Sequence, residues 1–137
     1  MTMIDNARNF FDACETGKGW DECAQYCAPE ATFACQSDVL ADTTTLQAYT
    51  EWMKGLLTPI PGGHYELKGF AADADRDVVL AFAVFHGTPS ADGGPVPVTG
   101  NRVAADYVYV MEFADHRITH MTKIWNDLHS LKALGWA

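Results

Sequence analysis

The sequence predicts an α+β fold, with helices laid against one face of a curved antiparallel sheet. Three observations predict it. Apolar residues recur at helical spacing up to Leu57, the period changes to two from His64 onward, and the helix-like segments precede most of the strand-like ones. A length of 137 residues suits one domain with a single core, spanning 1–137.

Thr2 followed by Asp5 marks a helix start, with an acid near the positive end of the helix dipole. Ile4, Ala7, Phe10, Phe11 and Cys14 form the apolar stripe of that helix, and Gly17 ends it. A second short helix carries Trp20, Cys23, Ala24 and Cys27 on one face, with Pro29 as its stop. Ala31 to Gln36 reads as a short strand. Thr44-Thr45-Leu46-Gln47 has the form of a capping box, with Thr44 as the cap. Leu46, Tyr49, Met53, Leu56 and Leu57 are the buried stripe of a third helix, closed by Pro59, Pro61, Gly62 and Gly63.

Tyr65, Leu67, Gly69 and Ala71 then alternate with His64, Glu66, Lys68 and Phe70 as a half-buried strand. Asp73 to Asp77 is a charged turn. Val78 to Phe85 is continuously apolar, as in a strand covered on both faces. A Gly/Pro-rich loop from His86 to Pro95 leads to a long hairpin, Val103–Phe113 and Ile118–Ile124, with Asp115-His116 at its corner. A short helix, Leu128 to Gly135, closes the chain. A curved sheet covered by helices leaves a conical cavity, the usual place for a small ligand.

Composition narrows the function. Eighteen acidic against nine basic residues give a net charge of −9, which repels phosphate backbones and anionic lipid, so neither nucleic acid nor a membrane surface is expected as a partner. No apolar run approaches the roughly 18 residues of a membrane span. Residues 1–20 carry Asp5, Arg8, Asp12, Glu15 and Lys18, which no signal-peptide core tolerates, so a cytoplasmic protein is expected. Cysteines 14, 23, 27 and 35 lack a Cys-x-x-Cys spacing, and the nearest histidine is His64. They read as small buried thiols, and no metal site is expected.

The hairpin holds most of the candidate chemistry. With Asp115-His116 as a two-residue loop, Ala114 lies opposite Arg117, Met111 opposite His120, Tyr109 opposite Thr122 and Tyr107 opposite Ile124. Opposed side chains share a face. The expected pocket face therefore carries Tyr107, Tyr109, Met111, Phe113, His120, Thr122, Ile124 and Asn126. The other face, with Asp106, Glu112 and Lys123, reads as solvated or helix-contacting. A bulge would exchange the faces beyond it. His120 is the strongest ionisable candidate on the pocket face, histidine being the usual proton carrier of physiological pH, and Asp127 lies beside that face as an alternative base or a helix cap. Tyr107, Tyr109 and Asn126 could donate hydrogen bonds to an enolate, Thr122 adds a hydroxyl, and Trp20 and Trp52 serve as apolar walls.

Several short stretches sit at fixed places in this order: Tyr26-Cys27-Ala28-Pro29-Glu30-Ala31-Thr32-Phe33, Gly87-Thr88, Thr99-Gly100, Arg117-Ile118 and Leu134-Gly135. With them the chain resembles the NTF2-like (cystatin-like cone) superfamily, and within it the SnoaL-like polyketide cyclases. The resemblance implies a cone with three N-terminal helices and a short C-terminal one, and a homodimer formed through the outer sheet face. It also implies acid/base aldol cyclisation of a hydrophobic carbonyl compound without metal or cofactor. Cyclases of this kind carry an aspartate nine residues before the glycine of a terminal Gln-Leu-Gly. Here that position is Asn126, with Asp127 next to it, and the terminal motif reads Ala133-Leu134-Gly135. An amide cannot accept and return a proton at neutral pH. Two functions follow from the sequence. One is a cofactor-free cyclase or isomerase using His120 or Asp127; the other is a non-catalytic ligand-binding or dimerisation module.

Overall fold

The structure is a computed structural model, and it describes residues 2–137. Helix α1 (Met3–Glu15) is followed by a short α2 (Gly19–Cys23), a 3-10 turn (Ala24–Tyr26) and strand β1 (Cys27–Cys35). Helix α3 (Leu46–Leu56), strands β2 (His64–Asp73), β3 (Val78–Gly87), β4 (Val103–Ala114) and β5 (Arg117–Trp125), and helix α4 (Asp127–Leu134) complete the order. The five strands form one sheet in the order β1-β5-β4-β3-β2. Among the described residues no helix is long and apolar enough to cross a membrane.

The helix starts follow their cap chemistry. Thr2 and Asp5 form a reciprocal capping box at α1. At α3 the cap is Thr45, whose hydroxyl accepts from Ala48 N at 3.1 Å. The expected Thr44 cap is therefore one residue early: Thr44 instead lends its carbonyl to Phe33 N at 2.9 Å, which ties the helix entry to β1. The second helix is also shorter than expected. It unwinds at Ala24, and Pro29 lies inside β1 rather than ending the helix. β1 is an edge strand whose pairing is irregular between Cys27 and Thr32, and a missing N–H is tolerated in such a stretch.

Two sheet expectations change. β2, β3, β4 and β5 are antiparallel neighbours, but β1 pairs with β5 in parallel, so the sheet is mixed. β3 is covered on one face only. Val79, Ala81, Ala83 and Phe85 are buried beneath the helices, whereas Leu80 and Phe82 remain 42% and 40% exposed on the outer face.

The hairpin turn forms as expected, with Asp115 and His116 both left-handed (φ 50° and 64°), the geometry of a type I′ turn. Ala114 pairs with Arg117 and Phe113 with Ile118. The register then slips by one: Glu112 pairs with His120, Met111 with Met121, Tyr109 with Lys123 and Tyr107 with Trp125. Thr119 is the extra residue of a β-bulge. Because side chains alternate with a period of two, this insertion turns every later β5 side chain to the opposite face. Ile118, Met121 and Lys123 point under the helices, and Ile124 stands outside at 57% exposure. The expected pocket face keeps its β4 half and loses its β5 half.

Candidate functional site

A cavity of about 380 Å³ opens between α3, α4 and the inner sheet face. Its walls are mostly apolar: Met53 and Leu56 from α3, Phe85, Val103 and Ala105 from the sheet, Leu131 and Leu134 from α4. α4 is held in place by Asn126, whose side chain caps it by accepting from His129 N at 3.2 Å, and by Gly135 in the left-handed conformation at φ 77°. A Cβ on Gly135 would lie 2.7 Å from Asn101 Nδ2 and 3.1 Å from Thr99 Cγ2, so with its left-handed φ the Leu134-Gly135 landmark marks a position that favours glycine.

Against this apolar lining stand Glu15, Tyr107, Lys123 and Ser130. Glu15, the last residue of α1, is 2% exposed. Its two carboxylate oxygens accept hydrogen bonds from the hydroxyls of Tyr107 and Tyr109. With its own proton committed to Glu15, the Tyr109 oxygen accepts from Tyr49, 2.6 Å away. A buried relay Tyr49–Tyr109–Glu15–Tyr107 thus runs from α3 across the sheet to the cavity. Burial raises the carboxyl of Glu15 above its ordinary value; Lys123 and the two phenols oppose that rise. The phenols of Tyr107, Tyr109 and Tyr49 are all pushed upward by burial, with the Glu15 charge adding to it.

Lys123 is the other ionisable group. The slipped register brings it inside, 6% exposed. Four rings surround its Nζ: Trp125 at 4.3 Å, Tyr49 at 5.1 Å, Trp52 at 5.2 Å and Tyr107 at 5.4 Å. Each ring centre lies within cation–π range. The members of this box pack on one another, Tyr49 on Trp52 at 5.8 Å and Trp52 on Trp125 at 5.9 Å, while Trp125 Nε1 donates to Ser130 Oγ at 2.8 Å. Among the described residues no carboxylate oxygen comes within 4.0 Å of Nζ, and Nζ makes no hydrogen bond. Burial lowers the lysine below its ordinary value, and the Glu15 charge opposes this. One wall of the cavity therefore presents a carboxyl raised and an amine lowered by burial, the directions in which buried acid/base groups are tuned.

The sequence-based candidates divide. Tyr107 and Trp52 line the cavity, and Tyr109 lies fully buried behind Tyr107 as part of the relay. Trp20 is half-buried at the start of α2, its backbone N donating to Glu51 Oε1 at 3.2 Å, and it does not reach the cavity. His120 lies on the outer face, with Nδ1 2.7 Å from Thr32 Oγ1 and Nε2 3.2 Å from Thr122 Oγ1. Thr122 and Asn126 border a separate depression on that face, together with Asp106. Asp127 is the first residue of α4, and its carboxylate accepts from Val39 N at 3.1 Å, anchoring the loop before α3. The bulge at Thr119 is what takes His120 and Thr122 out of the expected pocket. Neither Glu15 nor Lys123 was expected in the site: Glu15 ends an amphipathic helix with no local mark, and Lys123 sat on the face read as solvated or helix-contacting. One signal for Lys123 was available. Ile118 and Met121, two apolar residues an odd number of positions apart, cannot both face the core on an unbulged strand.

A cone of this architecture, with its cavity between the helices and a mixed sheet, belongs to a known class. Residues 7–121 match the SnoaL-like domain, so the chain belongs to the SnoaL-like family within the NTF2-like fold. Solved structures agree in fold. A proposed SnoaL-like polyketide cyclase from Jannaschia sp. CCS1 is 17% identical, with 98% of this chain and 92% of that one covered at a TM-score of 0.78. IdmH, a proposed polyketide cyclase from Streptomyces antibioticus, is 19% identical, with 98% and 99% covered at 0.75. A cystatin-fold protein from Novosphingobium aromaticivorans is 17% identical, with 90% and 98% covered at 0.66. No curated protein matches the chain.

Proposed function

We propose that this SnoaL-like protein binds a hydrophobic carbonyl compound in its cavity and moves a proton next to the carbonyl, as a cyclase or isomerase of the polyketide type does. The observation that carries the reading is the meeting of Glu15, Tyr107 and Lys123 on one wall of an otherwise apolar 380 Å³ cavity. In this reading Glu15 takes the proton, because a carboxyl raised by burial is a stronger base than an exposed one. Lys123 faces the carbonyl oxygen, where negative charge develops, and the surrounding rings keep water from screening it, while Tyr107 holds the carboxylate of Glu15 in place. Glu15 and Lys123 take the roles that the sequence suggested for His120 and Asp127.

Proton exchange tests it. A cyclic hydrophobic enone incubated with the protein in D2O is expected to gain deuterium beside its carbonyl, followed by NMR, and Glu15→Gln is expected to slow this by about a hundredfold or more. A ligand that binds without exchanging would leave the second reading, a non-catalytic binding module. That reading is favoured by Asn126, whose amide stands at the family's acid position and serves as a helix cap.

A homodimer through the outer sheet face accompanies this proposal, supported by Leu80, Phe82 and Ile124, which stand 42%, 40% and 57% exposed there. All four cysteines are free, which fits a reducing compartment such as the cytoplasm.

A further inference from the structure

We propose that Lys123 is a covalent site: its amine condenses with the carbonyl of a flat, conjugated aldehyde or ketone bound in the cavity to form an imine. This rests on the reading above that the cavity takes a hydrophobic carbonyl compound, and it assigns the lysine a bond to carbon in place of a charge beside oxygen.

Three observations point there. First, Nζ is committed to no acceptor. Among the described residues it has no hydrogen bond and no carboxylate within 4.0 Å, and Glu15 already has both oxygens engaged by phenols. A lysine kept for structure would be expected to hold such a partner. Second, Lys123 is one of the residues that line the cavity, so its side chain borders the space a ligand would occupy. Third, four aromatic faces at 4.3–5.4 Å surround it. They would stabilise a cationic, protonated imine by the same cation–π attraction that holds the ammonium ion, and their faces suit a planar conjugated ligand. A fixed anion site would be better served by arginine, whose fork binds carboxylates in pairs of hydrogen bonds. A lysine whose amine is made easier to deprotonate by burial, set in a cavity beside a carboxyl, is instead the kind of amine that adds to carbonyls.

The step balances without redox change. The lone pair of neutral Nζ attacks the carbonyl carbon, and the π pair of the C=O bond moves to oxygen, which takes a proton. The carbinolamine then expels that oxygen as water while nitrogen loses its protons and the C=N bond forms. Amine plus carbonyl becomes imine plus water. Glu15 and Tyr107, on the same wall, are placed to hand over and recover the travelling proton. Once protonated, the imine withdraws electrons from the adjacent C–H bond more strongly than the parent carbonyl, which is the activation the proposed proton abstraction needs.

The test uses the full chain with 2-naphthaldehyde, followed in parallel by tryptophan fluorescence and by reduction with cyanoborohydride. Trp52 and Trp125 report occupancy of the cavity. Reduction fixes any imine as a secondary amine whose mass rise equals the aldehyde less one oxygen, and peptide mapping assigns the lysine. Quenching together with an adduct on Lys123, formed ahead of Lys18, Lys54, Lys68 and Lys132 and lost in Lys123→Arg, is the expected result. Quenching with no adduct, or with adducts spread evenly over the exposed lysines, overturns the imine and leaves the binding reading intact. If Lys123→Arg does not fold, the order of labelling in the wild type decides. An absence of quenching overturns the carbonyl-binding reading and the imine with it.

Discussion

Glu15 and Lys123 are two buried, opposite charges that do not touch, and a double-mutant cycle measures what they are worth to each other. At an effective dielectric of about 20, two unit charges attract by about 4 kcal/mol at 4 Å and about 2 kcal/mol at 8 Å. The pair is farther apart than 4.0 Å. A coupling energy of about 1–3 kcal/mol is therefore expected, within the range for residues sharing one network. Glu15→Gln is expected to cost about 2–3 kcal/mol: it leaves the lysine uncompensated and gives two phenols a poorer acceptor, but the amine can shed its proton in response. Lys123→Met keeps the length of the side chain among the rings and removes a desolvated charge, so about 1–2 kcal/mol is expected, chiefly from lost compensation of Glu15. The double variant should be less destabilised than the sum of the two. Urea unfolding of all four proteins at pH 7, followed by circular dichroism, gives the cycle. Additivity within about 0.5 kcal/mol would refute the idea that these charges compensate each other.

Four further outcomes follow from the same geometry. Because the folded-state carboxyl of Glu15 lies above its unfolded value, the native chain binds more protons in the window just above the ordinary glutamate range. Stability should fall as pH rises through that window, and Glu15→Gln should lack this slope in thermal melts taken across it. Tyr109→Phe strands one Glu15 oxygen and the Tyr49 hydroxyl, so a loss of about 1–3 kcal/mol is expected by denaturant unfolding, and an unchanged midpoint would contradict the relay. His120→Ala should leave ligand affinity for the cavity unchanged by fluorescence titration, since among the described residues its ring bonds to Thr32 and Thr122 on the outer face; a large loss of affinity would return it to the site. Ile124→Lys puts a charge on the most exposed apolar position of the outer face and should shift sedimentation from dimer to monomer, whereas a wild type already monomeric would rule that interface out.

Much of the architecture was readable before folding was considered. Thr2 with Asp5, the stripe Phe10–Phe11–Cys14, the breaker Pro59-to-Gly63 and the change of period at His64 are local signals, and the elements they announce are present. Asp115-His116 announced its hairpin in the same way, since Asp and His are among the non-glycine residues that enter the left-handed region most readily. Composition weighed against nucleic acid, because charge is a property of the whole chain and needs no coordinates.

The site was legible only in half. Tyr107 and Tyr109 were placed inward correctly because β4 alternates without interruption from Val103 to Ala114. β5 does not, and one unpaired residue, Thr119, decided which of His120 and Lys123 would meet the cavity. Nothing local marks that residue. A bulge is selected by the sum of what it buries, here Met121 against the core and Lys123 within an aromatic box drawn from α3, β4 and β5, three segments far apart in the chain. Glu15 is likewise an ordinary helix-end residue until α1 packs across the sheet and sets it between two phenols. Periodicity and caps act over a few residues and so are written locally. The protonation chemistry of Glu15 and Lys123 depends on burial and on partners from distant strands, which exist only once the sheet, its bulge and the helices have come together.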